Sequence, residues 1–150
     1  MPSSGWYSKK FNKAALAYEL GIAIYHNKLV WINGPFPAGQ NDKKIFNKPN
    51  GLKSKIPDGR KGIGDEGYKG DPDKLATRNA AFDDPEVRRF KKRTLARHET
   101  FNSRLKAFGI LNQAFRSTGP SRLDKHKAAF EACCVIVQYE MDNGHPLFAV

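Results

Sequence analysis

Cysteine is scarce in this chain of 150 residues, and its two copies, Cys133 and Cys134, are neighbours. They fall in a stretch that predicts a helix, where successive side chains diverge by about 100°, so a bond between them is unfavourable. Both read as small buried apolar residues in a reducing compartment. Without a third cysteine or a Cys/His spacing, a zinc site has no support. Long apolar runs are missing too. No segment approaches the roughly 18 residues of a membrane span, and Met1-Pro2-Ser3-Ser4-Gly5 has no apolar signal-peptide core. These absences point to an intracellular protein. Acid is also in short supply, since 15 Asp and Glu face 26 Lys and Arg, a formal charge of +11. A polyanion is therefore the expected partner, with nucleic acid first. A membrane surface ranks lower, because the most basic segment lacks the Trp and Leu stripe of a lipid-facing helix. There is no internal repeat and no low-complexity tract, and the length suits about one domain.

What is present begins with alternation. Leu16, Tyr18, Leu20, Ile22 and Ile24 alternate with smaller or polar residues, a period of two that predicts a strand. His26-Asn27-Lys28 supplies a turn, and Leu29 to Ile32 returns as the second strand of a hairpin. Glu19, within the first strand, is expected to pair with a Lys or Arg across the sheet. Asn33 to Gly39 is dense in glycine and proline and predicts a loop. Asn41-Asp42 opens a short helical pattern holding Ile45 and Phe46, where Asn or Asp would cap the first N–H groups. Lys48 to Arg60 is basic, broken by Pro49 and Pro57, and expected to be exposed.

Asp71 to Asp84 reads as a connection with a short strand at Lys74 to Thr77. Asp84-Pro85-Glu86 is a strong helix start: a capping acid, a proline in the first turn and an acid at the positive end of the dipole. Val87, Phe90, Thr94, His98, Phe101, Leu105, Phe108, Leu111 and Phe115 recur at three- and four-residue spacing, predicting one buried stripe on a helix of about 30 residues. Cations surround that stripe with few acids at i±4, which favours phosphate binding over a merely solvated face. Gly119-Pro120 breaks the helix, and Leu123 to Asp142 predicts a last one that buries Ala129, Phe130, Cys133, Val137 and Met141.

Two carboxylates stand out from this background. Asp65 lies in K-G-I-G-D-E-G-Y-K-G, between glycines that let the backbone approach a metal or a phosphate. Glu99 lies beside the helical stripe in L-A-R-H-E-T-F-N-S-R-L-K. Hard cations such as Mg²⁺ take one or two carboxylates and leave other positions to water and phosphate oxygens. The competing explanation is a turn cap for Asp65 and an ion pair with Arg97 or Arg104 for Glu99. His98 reads as a satisfied interior histidine, and Tyr68 as a packing residue.

G-D-E-G-Y-K-G followed by R-H-E-x-F-N-x-R-L-K-x-F resembles the second Asp and final Glu of DDE-type transposases of the Harbinger-like superfamily. The similarity extends upstream through Y-S-K-K-F-N-K-A-A-L-A-Y-E-L-G-I and V-W-I-N-G-P-F-P-A-G-Q-N-D-K-K-I-F, and downstream through F-E-A-C-C-V-I-V-Q-Y. The resemblance implies an α/β fold, a ribonuclease-H-like mixed sheet flanked by helices, in which three carboxylates hold two Mg²⁺ or Mn²⁺ ions for phosphoryl transfer on DNA. Asp65 and Glu99 would be the second and third ligands, with Asp42 a second-rank candidate. The first carboxylate is expected on a strand before residue 1. Residues 1–150 would then form a partial catalytic domain. Arg93, Arg97, Arg104 and Lys106 are the expected DNA-phosphate contacts, a separate DNA-binding protein would supply site recognition, and the location would be nuclear. The alternative is a remnant that binds DNA or a protein partner without cutting.

Overall fold

The computed structural model describes residues 6–8, 13–79 and 81–150. Its strands are β1 (Tyr7–Ser8), β2 (Lys13–Ala14), β3 (Leu16–Ile22), β4 (Leu29–Pro37), β5 (Gly62–Ile63) and β6 (Leu75–Ala76); its α-helices are α1 (Asp42–Phe46), α2 (Pro85–Lys106), α3 (Gly109–Asn112) and α4 (Arg122–Asp142). The chain is thus mixed α/β. Among the described residues the strands form three two-stranded sheets rather than one: β1 with β2 and β3 with β4 antiparallel, β5 with β6 parallel.

The hairpin β3–β4 runs further than the glycine and proline content of Asn33 to Gly39 suggests. Ala17 pairs with Phe36 and Glu19 with Asn33, so Tyr18 faces both Gly34 and Pro35. That bulge places the proline, which has no N–H to give, where the ladder is already interrupted. Gly34 sits at φ +140, and a Cβ there would come within 2.7 Å of the Tyr18 ring. Only glycine fits both demands.

Asp84 caps α2 as its sequence predicts, its side chain accepting from the Val87 N–H at 2.9 Å, with Pro85 in the first turn. The apolar stripe continues past residue 106, but the helix does not. Phe108 is extended (φ −73, ψ 122) and Gly109 starts the short α3. α2 and α4 build the core together: Phe101 and Leu105 pack with Phe130, Cys133, Cys134, Val137, Met141 and Leu147, and the hairpin lays Tyr18, Leu20, Ile22, Leu29 and Ile32 against them. Tyr18 stacks on Phe130 with ring centroids 3.7 Å apart and shares a hydrogen bond with His126 Nδ1 at 2.7 Å. Both cysteines are buried and free, and burial pushes the Cys134 thiol up to about 12, an inert side chain.

One buried cation ties these pieces together. Arg97, 3 % exposed, donates through Nη1 to the carbonyls of Ala23 (2.7 Å) and Ile24, and through Nη2 to His26 O (2.8 Å) and Asn27 Oδ1 (2.9 Å). The same Asn27 Oδ1 accepts from the Leu147 N–H at 3.1 Å, joining the hairpin turn to the C-terminal segment. Further out, Arg104 donates to His145 O at 2.5 Å and Pro146 O at 3.3 Å, and Arg93 to Ala149 O at 2.6 Å while lying over the Phe148 ring.

Removing the Arg97 guanidinium strands several carbonyls at once, and a buried acceptor left without a donor costs about 1–3 kcal/mol. Arg97→Ala is expected to lower the unfolding free energy by at least about 3 kcal/mol in urea titrations. Arg97→Lys, with one donor centre in place of a planar fork, should recover only part of that loss.

Candidate metal and DNA site

The turn between β4 and β6 holds the acidic residues of interest. α1 is capped by Asn41, whose Oδ1 accepts from the Lys43 N–H at 2.8 Å, so Asp42 is not needed as a cap. Its carboxylate accepts no hydrogen bond among the described residues. Asp65 ends the approach from β5 and caps the 3₁₀ turn Glu66–Tyr68, with Oδ1 accepting from the Gly67 N–H at 2.9 Å. Tyr68 folds back from that turn onto Phe46 of α1, edge to face with centroids 5.9 Å apart, and brings the two acidic ends together.

The electrostatics show the meeting. Asp42 is pushed above the usual aspartate range, first by the partial loss of its hydration and then by the negative charge of Asp65. Burial, followed by the charges of Asp42, Glu19 and Asp65, raises the Tyr68 hydroxyl further, so it stays protonated at any physiological pH. Asp42 and Asp65 are thus like charges within electrostatic reach, on two elements held together by the Phe46–Tyr68 contact and by Lys43 Nζ donating to Lys69 O at 2.6 Å. A divalent cation relieves that repulsion. One hydrated Mg²⁺ or Mn²⁺ fits this donor set, two carboxylates with the remaining positions left to water.

Glu99 stands on the exposed side of α2 and forms no ion pair with Arg97 or Arg104 among the described residues. The charges that act on Asp42 and Tyr68 come from the 19–65 region, not from α2. Among the described residues no group of three His, Cys, Asp or Glu side chains lies together in a geometry for metal binding. His98 is satisfied internally, with Nε2 3.4 Å from Leu20 O and Nδ1 3.2 Å from Asn102 Nδ2.

Glu19 is a residue whose importance the sequence hides. It is 6 % exposed and pairs with no Lys or Arg among the described residues; Oε2 accepts from Trp31 Nε1 (2.8 Å), the Leu52 N–H (3.0 Å) and Asn33 Nδ2 (3.3 Å). Neutral donors replace the expected ion pair because an indole and an amide from β4 and a backbone N–H from the turn after α1 converge there. Asn33 Nδ2 also donates to Asn50 O at 3.0 Å, so the hairpin grips the segment that leaves α1. The other oxygen, Oε1, is buried without a partner. A tryptophan two pairs along the opposite strand was the only cue to this arrangement.

The four expected DNA-phosphate contacts divide. Arg97 is buried and committed to the hairpin turn, so it is corrected to a structural residue. Arg93 and Arg104 reach solvent but engage carbonyls of residues 145–149. Lys106 is exposed at the end of α2. No helix among the described residues is long and apolar enough to cross a membrane.

Raising the Asp42 pKa on folding means its charge opposes the fold. The contribution is favourable below the unfolded value of 3.8 and is lost as the pH rises through the higher folded value. Asp42→Asn is therefore expected to raise Tm at pH 7 in EDTA and to lose that advantage below about pH 3.8. Millimolar Mn²⁺ should stabilise the parent protein more than the variant; equal stabilisation would place the ion elsewhere.

No curated protein and no solved structure matches the chain. A protein-family model does, over residues 1–138, which include the hairpin, α1, Asp42, Asp65, Glu99 and most of α4. On that match, spanning more than half its length, the chain belongs to the DDE superfamily endonucleases.

Proposed function

We propose that this chain carries a divalent-metal-dependent centre for phosphodiester hydrolysis or strand transfer on DNA, of the transposase kind and closest in pattern to Harbinger-like elements. The observation that supports this reading is the packing of α1 on the turn that Asp65 opens, through Phe46 on Tyr68 and Lys43 Nζ on Lys69 O, which leaves Asp42 and Asp65 within electrostatic reach of one another. Asp65 and Glu99 are the ligands that the motif implies, and Asp42, the second-rank candidate, would join Asp65. Mg²⁺ or Mn²⁺ bound there would supply charge neutralisation for a phosphate and lower the pKa of a bound water. The chain's own residues hold that position: Asn41 leaves Asp42 free, the Gly67 N–H orients Asp65, and the Glu19 grip fixes the turn after α1. A ribonuclease-H-like arrangement is the fold this reading implies for the hairpin, β5 and the two long helices.

A second reading, a DNA- or protein-binding remnant without turnover, is favoured by one fact: among the described residues no three acidic groups gather for a metal. Two-metal catalysis holds its ions about 3.5–4 Å apart and needs a carboxylate that bridges or completes the pair.

Nicking of supercoiled plasmid in Mn²⁺ separates the two readings. The endonuclease reading expects cleavage that falls at least about tenfold in Asp65→Asn and in Glu99→Gln. Cleavage indifferent to both substitutions would overturn the assignment of these residues. DNA binding with no nicking, together with Mn²⁺ binding lost in Asp65→Asn, would establish the remnant.

A further inference from the structure

The charge on this protein is unevenly used. Residues 43–61 hold Lys43, Lys44, Lys48, Lys53, Lys55, Arg60 and Lys61 against the single acid Asp58. By contrast Arg93 and Arg104 of α2, which the motif would set on phosphate, already donate to backbone carbonyls. Part of the 43–61 stretch folds around a concavity of about 530 Å³, lined by Asn47, Lys48, Lys53, Ser54, Ile56 and Lys74 among others. Its three ammonium groups are held rather than loose. Lys48 Nζ sits 4.7 Å from the centroid of the Phe36 ring, Lys53 pairs with Asp71 at 2.6 Å, and Lys74 donates to Ile56 O and Asp58 Oδ1, both at 2.8 Å.

We propose that this concavity seats a backbone phosphate of DNA. The proposal rests on the endonuclease reading only for the choice of DNA as the polyanion. The chemistry is a tetrahedral oxyanion with several acceptor oxygens, matched by ammonium donors fixed before binding. Pre-positioning matters because each immobilised long side chain otherwise costs about 0.5–1.5 kcal/mol on association. Lys48, which forms no ion pair among the described residues, supplies the unopposed charge. Asp58, whose side chain is fully exposed, can yield Lys74 to a phosphate.

Binding is measured in EDTA, so the result does not depend on whether the chain cuts. Fluorescence anisotropy with a duplex of about 20 base pairs, across a KCl series, gives the slope of log K against log salt. Each phosphate contact contributes about −0.9. Lys48→Ala is expected to flatten the slope by about 0.9, and Lys48→Arg to restore it. Lys127→Ala on α4, the same charge change at a remote exposed site, should leave the slope as it was. A slope unchanged in Lys48→Ala, or flattened equally by Lys127→Ala, would overturn the proposal. A parallel ¹H–¹⁵N titration with inorganic phosphate tests the other source of the same chemistry. Shifts at Asn47 and Lys48 with phosphate, without any effect of Lys48→Ala on the DNA slope, would mean a site for free phosphate and would also overturn the DNA seat. Melting curves of each variant confirm that the fold survives, and loss of nicking with the slope behaviour intact would strike the endonuclease reading alone.

Discussion

The buried guanidinium of Arg97 is the constraint on which the rest of the molecule depends. The turn between β3 and β4 exposes carbonyls toward the interior, and a hairpin of two strands has no further ladder to satisfy them. A helix crossing behind the turn can supply donors only through a side chain long enough to reach and planar enough to serve several acceptors. Arginine alone meets both conditions. Its position on α2 therefore fixes how the hairpin sits on the helical pair, and through Asn27 it also fixes the segment after α4.

The candidate centre follows from a division of labour among small capping choices. Because Asn41 caps α1, the following Asp42 keeps its carboxylate for other uses; because Asp65 caps its own turn with one oxygen, it is oriented without being consumed. Tyr68 on Phe46, with Lys43 Nζ on Lys69 O, then holds α1 against that turn. Glu19 acts from below, where its hydrogen bonds to Trp31, Asn33 and the Leu52 N–H couple the hairpin to the turn that α1 feeds.

Much of this was legible before any coordinates. The hairpin turn at His26-Asn27-Lys28, the start of α2 at Asp84-Pro85-Glu86, a short strand within Lys74 to Thr77 and the buried cysteines of α4 were all readable from the sequence, though the parallel pairing of that strand with Gly62–Ile63 was not. The continuation of β4 through Pro35 and Pro37 was not, because a bulge is a property of a pair of strands and neither strand shows it alone. Arg97 and Glu19 escaped for a related reason. Rules that treat charge as a surface property have no way to anticipate a guanidinium answered by carbonyls or a carboxylate answered by neutral donors. The end of α2 at Lys106 was obscured by a stripe that outlasts the helix, since Phe108 and Leu111 still pack on the core from α3 and its approach. Asp42 comes within electrostatic reach of Asp65 through the packing of Tyr68 on Phe46 and the bond from Lys43 to Lys69 O, which no spacing between the two could announce.

The bond from the Leu147 N–H to Asn27 spans 120 residues of sequence. Closing so large a loop carries an entropic cost that grows only slowly with length, but it must be met before the contact rewards it. During synthesis the hairpin leaves the ribosome before α2, and the helix that carries Arg97 follows some 70 residues later. Until then the turn carbonyls depend on water, and the apolar side chains of Tyr18, Leu20 and Ile22 lack the α4 face that covers them. A nascent chain with this topology is vulnerable from the emergence of the hairpin until α4 has followed it. That makes the interval of synthesis, rather than the finished fold, the stage at which a chaperone would matter most.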